Sequence, residues 1–352
     1  MKKFFAPEFQ GLDYSIPPDV NYADTYSEAV SELTRIERTG GSIRYAFVSL
    51  SAANASRRIG RFDNVIEYID RARVTFAQAG HLDGAAWSSW SRGNLLQQFG
   101  DHRAALVSFT ASLKHAISAR NSTAAKYALA GNAEVLRICG RYRMATQRHI
   151  ELRDLFRSVQ DYRGVVWAEQ GLAQIALRQS DFGNAMKRFE LSLEFASGLN
   201  DRRGIAWAKR GIAEVLHREG RHRSALNGAV EARAIFAEAG IRIGAAYAMV
   251  TSARCQIALR KWDEALQYLL EADREFELCR HARGLYFSGI EQNRLMRHHP
   301  WAAAELPKGP RIAPALTGKR APIAVVDGVR RSPDSSCNHN GALPKRSPTS
   351  MS

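Results

Sequence analysis

The sequence predicts an all-α protein in which about seven helix-turn-helix units stack into a solenoid. Three observations predict this fold class: one pattern recurs every forty residues, proline is absent from a long central stretch, and small residues recur at fixed places in each repeat. A fixed period of roughly 20–50 residues is the signature of a repeat architecture. A long stretch without proline suits a chain that is nearly all helix, because proline breaks helix interiors.

The forty-residue period is plain in two segments of the chain. Residues 164–186 read GVVWAEQGLAQIALRQSDFGNAM, and residues 204–226 read GIAWAKRGIAEVLHREGRHRSAL. Residues spaced forty positions apart form a column of equivalent positions. One column consists of small residues, namely Ala53, Gly93, Ala133, Ala173, Ala213 and Ala253. Seven residues later, a second column consists of Gly60, Gly100, Gly140, Ser180, Gly220 and Arg260. No insertion or deletion interrupts the period, so the units share one local structure.

Each unit contains two helical patterns. In residues 204–219, apolar side chains recur at the three- and four-residue spacing of one helix face, and Gly220 follows where a left-handed turn residue is expected. A second pattern of the same kind runs over about 223–238 and ends before Gly240. One such pair cannot bury its own apolar face, so neighbouring pairs must stack to form a core.

Proline positions set the predicted boundaries. All eleven prolines lie at positions 7, 17 and 18 or from 300 onward. We therefore predict an N-terminal arm over 1–19, a solenoid over 20–299, and a disordered tail over 300–352 that is rich in proline, serine and basic residues. The predicted units are 20–59, 60–99, 100–139, 140–179, 180–219, 220–259 and 260–299. The first unit departs from the pattern at Thr25, where alanine is expected, and the last helix has no partner after it.

Several classes of protein are not indicated. No apolar run approaches the roughly 18 residues that a membrane span needs, and the N-terminus lacks the apolar core of a secretory signal. We therefore expect a soluble, cytoplasmic protein with no membrane partner. The four cysteines are scattered, without the close pairs typical of zinc sites. No phosphate-binding loop or hydrolase motif is present, so we expect no enzymatic activity, no cofactor and no metal.

The formal charge of +15 suggests nucleic-acid binding. Its distribution argues against that function. Residues 301–352 hold eight basic and three acidic side chains, and the remaining excess is spread over helices of mixed sign. Such helices are typical of solvated surfaces, so nucleic-acid binding through the basic surface and tail is the least favoured function.

The pattern of small residues and turns resembles the tetratricopeptide repeat (TPR). In that family the first helix carries a small residue and, three positions later, a large apolar one; a glycine follows at the turn, and alanine opens the second helix. Two units fill these places with Ala213, Leu216, Gly220 and Ala225, and with Gly93, Leu96, Gly100 and Ala105. The usual repeat has about 34 residues. The forty-residue form looks like arrays in large bacterial LuxR-type and SARP-type regulators. The resemblance covers about 20–299 and implies a right-handed α-solenoid whose first helices line a concave groove.

Two columns of side chains on the first helices are candidate groove residues. The aromatic column consists of Phe47, Trp87, Tyr127, Trp167, Trp207, Tyr247 and Phe287. The polar column lies two helical turns later and consists of Asn54, Asn94, Glu134, Gln174, Glu214, Arg254 and Arg294. Between the columns lie Trp90, Gln170 and Arg210. The resemblance implies that these side chains face the groove.

Two interpretations of the columns stay open at this point. Tryptophan and tyrosine are enriched at binding hot spots, but the aromatic rings also suit packing against the second helix of the preceding unit. The leading hypothesis is a non-catalytic scaffold or adaptor that binds a protein or peptide partner in the groove, with Arg254 and Arg294 favouring an acidic group. The alternative is a small-molecule sensor, which a closed pocket between units would favour.

Overall fold

The computed structural model describes residues 21–37, 42–304 and 306, and this part of the chain contains helices and turns but no β-strand. Fourteen α-helices follow one another, which confirms the all-α repeat solenoid. The helices are α1 (Tyr22–Glu37), α2 (Ser42–Ile59), α3 (Val65–Gln78), α4 (Leu82–Phe99), α5 (His102–Ser118), α6 (Ser122–Ile138), α7 (Tyr142–Ser158), α8 (Tyr162–Arg178), α9 (Phe182–Gly198), α10 (Arg202–Arg218), α11 (His222–Glu238), α12 (Arg242–Ala258), α13 (Trp262–Leu278) and α14 (Ala282–His298). The predicted N-terminal arm and nearly all of the predicted tail lie outside the described residues.

Every turn from α2 to α14 contains one residue with left-handed backbone, so these residues recur every twenty positions. Six are glycines with φ between +63° and +89°, namely Gly60, Gly80, Gly100, Gly140, Gly220 and Gly240. The other six have φ between +46° and +63° and are Arg120, Gln160, Ser180, Asn200, Arg260 and Arg280. This conformation ends a helix and reverses the chain within a few residues. The left-handed turn predicted at Gly220 is confirmed.

Successive helices pack through aromatic rings that fit against glycine. Phe156 of α7 is buried, and Gly164 lies opposite it at the start of α8. A Cβ atom added at Gly164 would lie 2.3 Å from Cδ1 of Phe156, so only glycine lets the ring reach the helix backbone. Similar pairs are formed by Phe76 with Gly84, Phe236 with Gly244, and Phe276 with Gly284. Close packing of this kind fixes the spacing between neighbouring helices.

The helices form an inner and an outer layer. The even-numbered helices α2 to α14 contact their sequence neighbours and also the even-numbered helices two places away. The odd-numbered helices contact mainly their sequence neighbours. The even-numbered helices are therefore crowded on the inside of the curve, as the resemblance implies for the first helix of each TPR unit.

The curve closes on itself through contacts that we call the closing seam, in which α1, α2 and α4 meet the segment from α11 to α14. Helix α2 contacts α12, and α4 contacts α14. The Gln98 side chain Nε2 donates a hydrogen bond to the backbone oxygen of Cys279 at 2.7 Å. Tyr22, Ala55 and Ile59 share a buried cluster with Ile241. The inner helices therefore form a closed ring.

A short segment follows the last helix. Pro300–Ala304 forms a 3₁₀ helix. Ala302 and Leu306 are buried in one cluster with Leu269 of α13 and Leu295 of α14. The end of the array is thus covered by residues beyond 299, the predicted end of the solenoid.

Candidate ligand-binding cavity

The ring of inner helices encloses a central cavity of about 260 Å³. All seven inner helices contribute to its wall, from Arg57 of α2 to Phe287 of α14. Because the closing seam joins the two ends of the array, the feature predicted as a groove is a central chamber surrounded by the inner helices. Its wall contains eight arginines, two glutamates, five amide side chains and several aromatic rings. The arginines are Arg57, Arg58, Arg137, Arg178, Arg203, Arg210, Arg254 and Arg283.

The structure brings twelve of the seventeen predicted groove residues together on this wall. They are Trp90, Asn94, Glu134, Trp167, Gln170, Gln174, Trp207, Arg210, Glu214, Tyr247, Arg254 and Phe287. The polar column lines the cavity from α4 to α12, and the aromatic column lines it from α8 to α14.

The other five predicted groove residues do not line the cavity. Phe47 is half-buried, and its ring centre lies 4.8 Å from that of Phe76. Trp87 and Tyr127 are 1% and 2% exposed and belong to the largest buried cluster. Asn54 is buried, and its Nδ2 donates a hydrogen bond to Oγ of Ser91 at 3.2 Å. Arg294 is exposed at the rim of α14. These side chains hold helices together or face solvent outside the cavity.

The aromatic column packs between helices as well as lining the cavity. Trp207 lies 4.9 Å from Phe236 between ring centres, and Tyr247 lies 5.0 Å from Phe276. These partners belong to the second helix that follows in the chain, whereas packing against the preceding second helix was the expectation. Trp167, Trp207 and Tyr247 remain half-buried. One edge of each ring therefore packs in an interface and the remainder borders the cavity.

Glu134 and Arg137 form an ion pair within α6. Nε of Arg137 donates a hydrogen bond to Oε2 of Glu134 at 2.8 Å, and NH2 bonds to Oε1. Burial alone would raise the pKa of the Glu134 carboxyl, but Arg137 lowers it below its ordinary value. Burial alone would lower the pKa of the Arg137 guanidinium, but Glu134 raises it above its ordinary value. The two side chains therefore neutralise each other on the wall.

An ion ladder joins the inner helices α10, α12 and α14. NH1 of Arg210 donates to Oε1 of Glu214 at 2.6 Å, and NH1 of Arg254 donates to the same oxygen at 3.2 Å. Arg254 also donates through Nε to Glu291 at 2.7 Å, and Arg294 donates to Glu291 at 3.2 Å. Burial would raise the pKa of Glu214, but Arg210 and Arg254 lower it to about 2. The two arginines predicted to attract an acidic group are therefore already paired with glutamates.

Sequence reasoning missed six of the eight wall arginines, among them Arg178 and Arg283. Arg178 lies one helical turn after Gln174, and Arg283 lies one turn before Phe287. Arg58, Gln98 and Ile138, which also line the cavity, share the forty-residue column of Arg178. Residues four positions apart lie on one helix face. Positions four residues after the polar column and four residues before the aromatic column would therefore have included Arg178 and Arg283.

None of the described helices has the length and apolar character to cross a bilayer. Comparison with protein-family models finds no match, and comparison with curated proteins finds none either.

Solved structures with a similar fold include a Rap protein complexed with Competence and Sporulation Factor. It is 14% identical, with a TM-score of 0.58 over 81% of this chain and 89% of its own. A second is a signal-transduction ATPase with numerous domains that carries a tetratricopeptide repeat sensor, from Pyrococcus horikoshii. It is 13% identical, with a TM-score of 0.52 over 85% of this chain, and this chain spans 46% of its length. At these identities the likeness shows the fold alone: the chain is an all-α helical repeat solenoid of the TPR type.

Proposed function

We propose that this chain is a non-catalytic scaffold or adaptor that binds an extended segment of a protein or peptide partner in its central cavity. The observation that carries the proposal is the cavity wall, where aromatic rings and amide side chains from successive inner helices face one chamber. Periodic side chains around a chamber give a ligand repeated contacts along its length.

Unengaged amide groups on the wall suit a peptide backbone. The side chains of Gln97 and Gln174 are half-buried on the cavity wall and make no hydrogen bond to other described residues. A carboxamide both donates and accepts, so it can bond to the N–H and C=O groups of an extended chain. The cavity volume of about 260 Å³ lies near the lower end for small-molecule pockets. That size favours an extended segment over a helix, which with side chains is about 10–12 Å across.

A small-molecule sensor is the second candidate, and the closing seam is the observation that favours it. Closure surrounds the chamber with inner helices, which suits a ligand with much of its surface buried. One structural relative described above provides a precedent, because it carries a tetratricopeptide repeat sensor.

The test uses the full chain to select binders from a displayed library of random short peptides. A Gln174→Trp variant fills the cavity, because this side chain faces it and has no hydrogen bond to lose. A Gln179→Trp variant is the matched control, since Gln179 is exposed beyond the end of the same helix. Selected peptides should bind wild type and Gln179→Trp equally and bind Gln174→Trp at least about tenfold more weakly, a difference of about 1.4 kcal/mol.

Equal binding to all three proteins would place peptide recognition outside the cavity and contradict the proposal. Failure to select any peptide, together with a small-molecule adduct in the native mass spectrum of the chain purified from its host, would favour the sensor.

A further inference from the structure

We propose that the cavity ligand is anionic and that Arg178 and Arg283 bind its oxyanion group, a carboxylate or phosphate, beside Phe287. The inference rests on the proposed function in assuming that the cavity is a binding site, and it adds the chemical class of what binds there.

Arg178 and Arg283 come from opposite ends of different inner helices and meet at one ring. Cζ of Arg178, in the last turn of α8, lies 4.9 Å from the ring centre of Phe287 on α14. Cζ of Arg283, in the first turn of α14, lies 5.2 Å from the same ring centre. The two guanidinium groups are therefore roughly 10 Å apart at most. Because arginine side chains are long and flexible, one oxyanion can reach the N–H groups of both.

Neither guanidinium has a carboxylate partner among the described residues. The glutamates on the wall are Glu134 and Glu214, and each is bonded to other arginines. Glu291, just behind the wall, bonds to Arg254 and Arg294. The ring of Phe287 compensates for the missing anion only in part, because a cation–π contact is weaker than a desolvated ion pair with a carboxylate.

The net charge of the cavity wall also favours an anionic ligand. Five of the wall arginines (Arg137, Arg178, Arg210, Arg254 and Arg283) face two glutamates across the chamber, a formal excess of three positive charges. His281, which also lines the chamber, adds none at neutral pH, because burial lowers its pKa to about 3. A chamber with low-dielectric walls concentrates such a field and attracts anions.

The pKa shifts show that burial and neighbouring arginines outweigh the nearby glutamates at these two cations. Burial and the neighbouring Arg137 lower the pKa of the Arg283 guanidinium to about 10, although Glu134 opposes this shift. Burial lowers the pKa of Arg178 as well; Glu214 opposes this shift, and Arg254 and Arg137 add to it. Arg178 remains accessible to water, as expected for a side chain that points into a wet cavity. An anion between the two groups would relieve their repulsion.

The experiment measures calorimetric and thermal-shift titrations of the full chain with four probes at constant ionic strength. Pyrophosphate is the bare oxyanion, tetraglutamate with blocked ends is the acidic segment, and tetraglutamine is its neutral match. Sodium chloride controls for screening. We expect saturable binding of pyrophosphate and tetraglutamate and none of tetraglutamine. Arg178→Gln and Arg283→Gln should each weaken binding about tenfold or more, and the double variant more still.

Arg218→Gln is the matched control. Arg218 lies forty residues after Arg178, is exposed in the last turn of α10 and does not line the cavity, so its loss should leave binding unchanged. Without anion the double variant should melt close to wild type, because it removes a repulsion and no ion pair but loses the two contacts with Phe287.

Each outcome bears on one of the two proposals. Pyrophosphate binding without tetraglutamate binding supports the oxyanion subsite and favours a small phosphorylated ligand over a peptide. The absence of saturable binding by either anion, or equal binding to wild type and the double variant, overturns the inference. The peptide selection described above is independent of this result, so the scaffold proposal stands or fails separately.

Discussion

The repeat interfaces and the closing seam hold the ring together in different ways. A repeat interface joins neighbouring helices through pairs such as Phe156 with Gly164, which recur along the chain at fixed spacing. The closing seam joins residues far apart in sequence, through single contacts such as Gln98 with Cys279. Repeat arrays derive their stability mainly from nearest-neighbour contacts, so the interfaces should carry the stability and the seam should shape the cavity.

This difference separates two properties that a repeat sequence encodes. Periodic side chains determine how one helix pair sits on the next. Closure of the ring depends on the sum of the small rotations between successive helix pairs. Only a few specific contacts are then needed where the two ends of the array meet. The following predictions separate the two contributions.

Removing an interface aromatic should have the largest effect. Phe156 is 1% exposed and its ring lies 5.4 Å from that of Tyr127. Phe156→Ala leaves a cavity between α7 and α8, so the free energy of unfolding in urea should fall by about 3–5 kcal/mol. Leu155→Ala is the control, because this neighbouring side chain is 42% exposed and its loss should cost about 0.5 kcal/mol or less. Similar losses from the two variants would mean that the interface is loosely packed.

Neutralising the ion ladder should have the next largest effect. Glu214→Gln keeps the shape of the side chain but leaves Arg210 and Arg254 without their shared carboxylate. Loss of one partner of a fully buried pair costs about 3–5 kcal/mol. Arg254 is only half-buried at the cavity, so we expect a loss of about 1–3 kcal/mol at pH 7. Glu190→Gln, at an exposed position on α9, should change the free energy of unfolding very little.

The pH dependence gives the ladder a second signature. The folded-state pKa of Glu214 is about 2, below its ordinary value of 4.5. A lowered pKa stabilises the folded state above pH 4.5, and this stabilisation is lost as the pH falls from 4.5 towards 2. The difference between wild type and Glu214→Gln should therefore shrink over that range. A difference that stays constant in urea unfolding at pH 7 and pH 3 would exclude the charge as its origin.

The sequence predicted the repeat interfaces far better than the seam. The forty-residue columns located both helices of each unit and the turn at Gly220, because local packing imposes the same residue type in every repeat. Gln98 and Cys279 do not belong to a column of like residues, so nothing in the period marks them as partners. Closure of the ring depends on the sum of the small rotations between successive helix pairs, and the periodic pattern of side chains does not reveal that sum.

The candidate site was predicted in part for the same reason. The polar column led to Glu134, Glu214 and Arg254 on the cavity wall, but it did not show that each has an oppositely charged neighbour. Arg178 and Arg283 lie in different columns and are related only through Phe287. Pairing across a closed ring is a three-dimensional property, so only the structure shows that Arg178 and Arg283 have no carboxylate partner among the described residues.

A methyl group at the seam should have a smaller effect than loss of the ladder. Gly60 and Gly220 both have left-handed backbone, with φ of +78° and +82°. A Cβ atom at Gly60 would lie 3.0 Å from Sγ of Cys279, whereas at Gly220 it would meet nothing within 4 Å. Gly220→Ala should therefore cost about 1 kcal/mol from backbone strain, and Gly60→Ala about 1 kcal/mol more, because the seam must shift.

Hydrogen exchange distinguishes seam opening from general destabilisation. In Gly60→Ala, backbone amides near Cys279 should exchange faster relative to those near Gly220, since local opening exposes the seam first. Equal acceleration at both places would show that the seam does not open separately from the repeats.

Relieving a strained turn should have the smallest effect and the opposite sign. Arg260 is exposed with φ of +59°, a conformation that costs a residue other than glycine about 1–2 kcal/mol. Arg260→Gly should raise the free energy of unfolding by about 0.5–1 kcal/mol, after the greater flexibility of glycine in the unfolded chain is deducted. Arg280 has the same kind of backbone, with φ of +46°, but its Cζ lies 5.9 Å from the ring centre of Phe62 across the seam. Arg280→Gly loses this contact, worth about 0.5 kcal/mol at an exposed site, so it should stabilise less than Arg260→Gly. Equal gains from the two variants in urea unfolding would show that the Arg280–Phe62 contact contributes nothing to closure.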